Sequence, residues 1–175
     1  MKRAFAFLGA ATLAGMAAGW SAPEDPEALS WVVVRPEALH RVTKVPHRMA
    51  DSTAALCRIS FNLNPHEGDR DPAFCLVYTT PDAKGVMTSG KGRYPRGAVI
   101  VKSKLAGEKS SDVLLYTTMR KREAGYDARN GDWEYGVLDG RSKRVLAAGR
   151  IETCIACHRR YASTDYVTRA YLPSK

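Results

Sequence analysis

The sequence predicts a mainly β (α+β) fold: one antiparallel sheet with a few short helices, the last of them carrying the densest cluster of reactive side chains. Two observations predict it. Between residues 74 and 148 the hydrophobic residues recur mostly with a period of two, the period of a half-buried strand. The alternating segments are also short and separated by stretches rich in Gly, Pro, Asn and Asp, the punctuation of turns.

In chain order, Phe74, Leu76 and Tyr78 alternate with Cys75, Val77 and Thr79 as the first strand. Pro81-Asp82-Ala83 then opens a short helix. The segment Gly97 to Leu105 alternates again, with Val99, Val101 and Leu105 on one side and Ile100, Lys102 and Lys104 on the other. Val113, Leu115, Thr117 and Met119 form a third strand face. Trp133, Tyr135 and Val137 form a fourth, entered through the turn residues Asn130-Gly131-Asp132. Asp139-Gly140 reads as a hairpin turn into a fifth strand, Arg144 to Ala148. Upstream, Asp51-Ser52-Thr53 offers N-cap chemistry for a short helix reaching about Cys57, and Pro65 to Asp71 reads as a loop.

The 175 residues fit one domain, and 45% apolar residues supply a core. Lys2 and Arg3 precede an apolar run from Ala4 to Gly19, and small residues follow at Gly19, Ser21 and Ala22. A run of 16 residues is short of the roughly 20 a membrane-spanning helix needs. Residues 1–22 are therefore expected to be a cleaved export signal, 23–56 an N-terminal extension and 57–175 the domain proper. The expected location is periplasmic or otherwise exported. Of the formal charge of +9, Lys2 and Arg3 contribute two units. The remaining basic residues, such as Arg120-Lys121-Arg122 and Arg159-Arg160, are scattered, with no aromatic-basic repeat and no nucleic-acid motif. No nucleic-acid partner is expected; a solvated basic face suits acidic partners or anionic surfaces.

The four cysteines fall into two pairs. Cys57 and Cys75 lie 18 apart in a chain expected in an oxidising compartment, so a bridge and two buried thiols both stand open. Cys154-Ile155-Ala156-Cys157-His158 is C-x-x-C-H, the attachment motif of haem c. Its spacing has a physical cause: residues i and i+3 of a helical turn share a side, so two thiols reach two vinyl groups on one porphyrin edge. The adjacent histidine is then carried to the iron. Cys154 and Cys157 are the expected attachment residues of a single haem, and His158 the protein's iron ligand. A structural zinc site would need another ligand pair at metal spacing, and His40, His47, His66, Cys57 and Cys75 are scattered. A thioredoxin-type pair would sit in a βαβ setting, whereas this motif follows β-type sequence. For the sixth iron position, Met49, Met87, Met119 and His66 are the available side chains, none in a recognisable ligand context. An open, five-coordinate iron is expected.

Three segments resemble the cytochrome P-460 family, which includes the cytochromes c′-beta. They are Tyr94-Pro-Arg-Gly-Ala-Val-Ile-Val-Lys-Ser-Lys104, Lys121-Arg-Glu-Ala-Gly-Tyr-Asp-Ala-Arg-Asn-Gly-Asp-Trp-Glu-Tyr-Gly-Val-Leu-Asp139, and Cys154-Ile-Ala-Cys-His-Arg-Arg-Tyr-Ala-Ser-Thr-Asp-Tyr-Val167. The resemblance spans about residues 57 to 171. It implies a mainly antiparallel β domain with helices, a five-coordinate haem c and a distal side open to small nitrogen species. It implies either hydroxylamine oxidation, with a lysine-to-porphyrin crosslink, or binding of gases such as nitric oxide without one. Homodimers are common among such relatives, and a redox partner protein is implied. Lys91, Lys102 and Lys104 are the lysines near the crosslinking region, with Lys102 sharing a strand side with Ile100. Glu134 and Asp132 are the nearby carboxylates for removing protons from hydroxylamine. An ordinary solvated lysine is the favoured reading of Lys102, and turn or ladder roles explain the two carboxylates equally well. Trp133, Tyr135 and Tyr166 read as packing around haem and sheet.

Overall fold

A computed structural model describes residues 36–50 and 73–172; the expected export signal, the short helix near Cys57 and the loop holding His66 lie outside them. The described chain forms a seven-stranded antiparallel sheet. Strands β3 (Phe74–Thr79), β4 (Val99–Leu105), β5 (Val113–Lys121), β6 (Trp133–Asp139) and β7 (Val145–Gly149) run as a meander, each paired with the next. Two short strands, β1 (His40–Arg41) and β2 (His47–Arg48), pair with opposite ends of β3. The mainly β fold expected from periodicity is the fold observed, with strand limits moved by one or two residues. Sequence alternation overlooked β1 and β2, because two-residue strands are too short to show a period.

The pleat sorts side chains into two faces. On one, the register lines up Val77, Lys102, Thr117, Val137 and Ala147 across five strands, and beside them Ile100, Met119, Tyr135 and Gly149 across four. This face carries the hydrophobic core: Cys75, Val77, Ile100, Met119, Trp133 and Tyr135 cluster there with Met49, Met87, Tyr94, Ile155 and Val167. Two short α-helices cover it. A 3-10 turn at Pro81–Ala83 leads into α1 (Lys84–Ser89), which buries Met87, as the Pro81 signal predicts. Helix α2 (Glu152–His158) follows β7 and buries Ile155, with Glu152 at its positive end and His158 at its negative end. Val99, Val101, Leu105 and Leu138, on the other face, are also buried, so β4 is covered on both sides and not on one.

Asp139 makes the predicted hairpin turn. Its carboxylate accepts the backbone N–H groups of Arg141 at 3.0 Å and Ser142 at 2.7 Å, which holds it below the usual carboxylate range.

Candidate haem-iron site

Helix α2 presents Cys154 and Cys157 one turn apart, with His158 directly after them. Ile155, 3% exposed, plugs the helix into the core, which leaves the flanking Cys154, Cys157 and His158 half-buried at the margin of the sheet. Cys157 carries a free thiol. The His158 ring lies 5.4 Å from that of Tyr135 on β6, centroid to centroid. Its Nδ1 sits 2.7 Å from the backbone carbonyl oxygen of Tyr166. A carbonyl only accepts, so Nδ1 carries the proton and donates, and Nε2 keeps the lone pair that a metal needs. Burial pulls the imidazole down to about 4, against the pull of the Tyr166 carbonyl, and the Lys102 ammonium lowers it further. The ring is therefore neutral at neutral pH, the protonation state of an iron ligand.

The residues fit a haem by a second observation. The Tyr135 hydroxyl is buried with no hydrogen-bond partner among the described residues. An unmet buried hydroxyl costs about 1–3 kcal/mol, and a polar group of a bound haem is one partner that would meet it. Burial raises the phenol well above its ordinary value, and Cys154 and Cys157 add to that rise. The His158 imidazole and the Tyr135 phenol are thus neighbours, with Cys157 next to His158 in α2.

Lys102 shares that face, in line with Val77, Thr117 and Val137, and its charge is felt at His158. Glu134 does not. It points to the opposite face, where its Oε2 accepts from Arg120 at 2.9 Å and from Arg122 at 2.9 Å. The register separates the two sequence candidates because residues 134 and 135 face opposite ways. Asp132 accepts the backbone N–H groups of Gly125 at 3.2 Å and Asp127 at 2.8 Å, a turn role. The methionines pack in the core: Met49 is 4% exposed, Met119 7%, and Met87 fully buried, its sulfur accepting from the Tyr94 hydroxyl at 3.4 Å. Cys75 is buried on the core face, while Cys57 lies outside the described residues.

Sequence reasoning missed the acceptor. Tyr166 reads as an aromatic packing residue, and its ring does stack on Gly131, whose place a larger residue would contest. Its function in the site comes from its carbonyl, which carries no residue signature. Trp133, entirely buried, donates its indole N–H to the Asp165 carbonyl at 2.8 Å, which is more than packing.

A neutral, oriented imidazole next to two cysteines on one helical turn is a set of groups able to hold a haem iron. Residues 58–169 match the Cytochrome P460 family, and the chain belongs to that family. It is a cytochrome with a haem cofactor. No curated protein matches it.

Proposed function

We propose that the chain is an exported monohaem c-type cytochrome that handles small nitrogen species at an open distal iron position. The observation that carries this is the His158 geometry: a C-x-x-C-H helix whose histidine is held by the Tyr166 carbonyl at 2.7 Å with Nε2 left for iron. Cys154 and Cys157 hold the haem through thioether bonds, and His158 is the protein's ligand. When bound, the haem supplies a redox-active iron that coordinates a small nitrogen ligand. The chain's own part is to orient the imidazole, exclude water with Trp133, Tyr135 and Ile155, and place the Lys102 ammonium on the same face. Lys102 is accordingly the lysine to test for a crosslink to the porphyrin. Export rests on Lys2, Arg3 and the apolar run behind them. The basic surplus favours an acidic redox partner, and the family resemblance supports a homodimer.

A second reading, gas binding or electron transfer without turnover, draws support from Glu134. Oxidising hydroxylamine removes protons as well as electrons, and the candidate carboxylate is tied to Arg120 and Arg122 on the far face.

Expression in a host that matures c-type cytochromes, followed by intact mass under denaturing conditions, tests attachment; a mass equal to the bare polypeptide overturns it. Cys154→Ala with Cys157→Ala is expected to leave almost no haem after acid extraction. Rapid binding of nitric oxide and carbon monoxide to the ferrous protein tests the open iron. Hydroxylamine turnover with an electron acceptor separates the two readings, and a shifted ferrous spectrum lost in Lys102→Ala marks the crosslink.

A further inference from the structure

Beside the acceptor of His158 lies a buried ion pair that the proposed function does not use. Lys121, the last residue of β5, places its Nζ 2.8 Å and 2.7 Å from the two carboxylate oxygens of Asp165. The two side chains are only 9% and 5% exposed. Asp165 is held from two further directions. Its Oδ2 accepts the Tyr94 backbone N–H at 2.8 Å and its carbonyl accepts the Trp133 indole at 2.8 Å. Lys121 also donates to the Gly131 carbonyl at 2.8 Å, which ties the pair to the loop under the Tyr166 ring.

The next residue is Tyr166. Asp165 and Tyr166 have φ of +52° and +66°, two consecutive left-handed residues that are not glycine. Aspartate tolerates that region and tyrosine does so at a cost, so the turn persists because its surroundings hold it. If it relaxed to an extended backbone, the Tyr166 carbonyl would swing away from Nδ1 of His158.

We propose that Lys121 and Asp165 are positioning residues for the iron ligand: their buried pair locks the Asp165–Tyr166 turn, and the turn holds the carbonyl that sets the orientation and basicity of His158. The proposal rests on the haem reading. A strong Nδ1–H···O=C bond makes an imidazole a better electron donor, which strengthens the iron–histidine bond and favours ferric iron.

The test uses the haem-loaded full chain and two readouts besides activity, the iron–histidine stretching frequency of the ferrous protein and its reduction potential. Lys121→Met and Asp165→Asn are expected to lower the frequency and raise the potential. Trp133→Phe keeps the packing but removes one anchor of Asp165, and a smaller shift in the same directions is expected. Leu138→Ala, buried on the opposite face, is expected to lower stability without moving either readout. Folded variants at 121 and 165 that keep the wild-type frequency and potential overturn the proposal. Should those two variants fail to fold, an unmoved Trp133→Phe overturns it and a shifted one supports it. A wild-type protein with no iron–histidine band fails differently, since that outcome strikes the haem reading itself and the proposal with it.

Discussion

Arg120, Lys121 and Arg122 are neighbours in the chain, yet they serve two regions that differ in kind. Arg120 and Arg122 meet Glu134 on one face of the sheet, with side chains 26% and 25% exposed. Lys121 meets Asp165 on the other, where the exposures are 9% and 5%. The chemistry of the two clusters is the same, ammonium or guanidinium against carboxylate at 2.7–2.9 Å. What differs is the alternative open to each charge. Water solvates the two arginines if Glu134 is removed, so that cluster is a modest contributor. Lys121 has no such recourse, and losing its aspartate strands a charge among Trp133, Tyr94 and the Gly131 carbonyl. A basic tripeptide that reads as one solvated patch therefore divides into two partly exposed arginines around a buried glutamate and an internal brace.

The contrast is sharpest in stability. Asp165→Ala is expected to cost about 3–5 kcal/mol in denaturant unfolding, because it leaves a buried ammonium unpaired. Glu134→Ala is expected to cost about 1 kcal/mol, and equal losses at the two sites would break the comparison. A double-mutant cycle on Lys121→Met and Asp165→Asn is expected to show coupling of about 1–3 kcal/mol, the double variant being less damaged than the two singles together. Coupling near zero would mean that Asp165 is held by Tyr94 and Trp133 alone.

Gly131→Ala probes the loop beneath the pair. Gly131 has φ +76°, and an added Cβ would run into the Tyr166 ring, so a loss of about 2 kcal/mol is expected in thermal unfolding. A neutral result would show that the Tyr166 ring moves aside freely. The smallest effect is expected from pH. Burial lowers the His158 imidazole to about 4, so its neutral, iron-binding form persists as pH falls and gives way only on approaching that value, later still with iron competing for Nε2. The iron–histidine band is accordingly expected to hold its intensity from about pH 8 down to about pH 5. Loss near the ordinary histidine value of about 6.5 would show a solvated ring.

Much of the site was legible from local pattern. Cys154, Cys157 and His158 announce themselves by spacing, since one helical turn is a property of the backbone. The strand faces around Ile100, Lys102, Trp133 and Tyr135 follow from alternation in the same way, and Lys102 does share the face of His158. Glu134 shows the limit. Its proximity to Trp133 in sequence suggested a site carboxylate, but adjacent strand residues face opposite ways, and the side on which the helices pack is not a local property.

By itself, then, the sequence determined the antiparallel β character, the hairpin at Asp139 and the one-turn spacing of Cys154, Cys157 and His158, all written in separations of a few residues. Only the tertiary structure decided that Lys121 and not its arginine neighbours is buried, that it meets Asp165 44 residues away, and that the Tyr166 carbonyl orients His158. The reason is physical. Periodicity and helical spacing are set by backbone geometry that every residue shares, whereas a buried ion pair depends on which distant segments exclude water together. A carbonyl acceptor, moreover, is the same atom in every residue, and only its direction in space gives it a role.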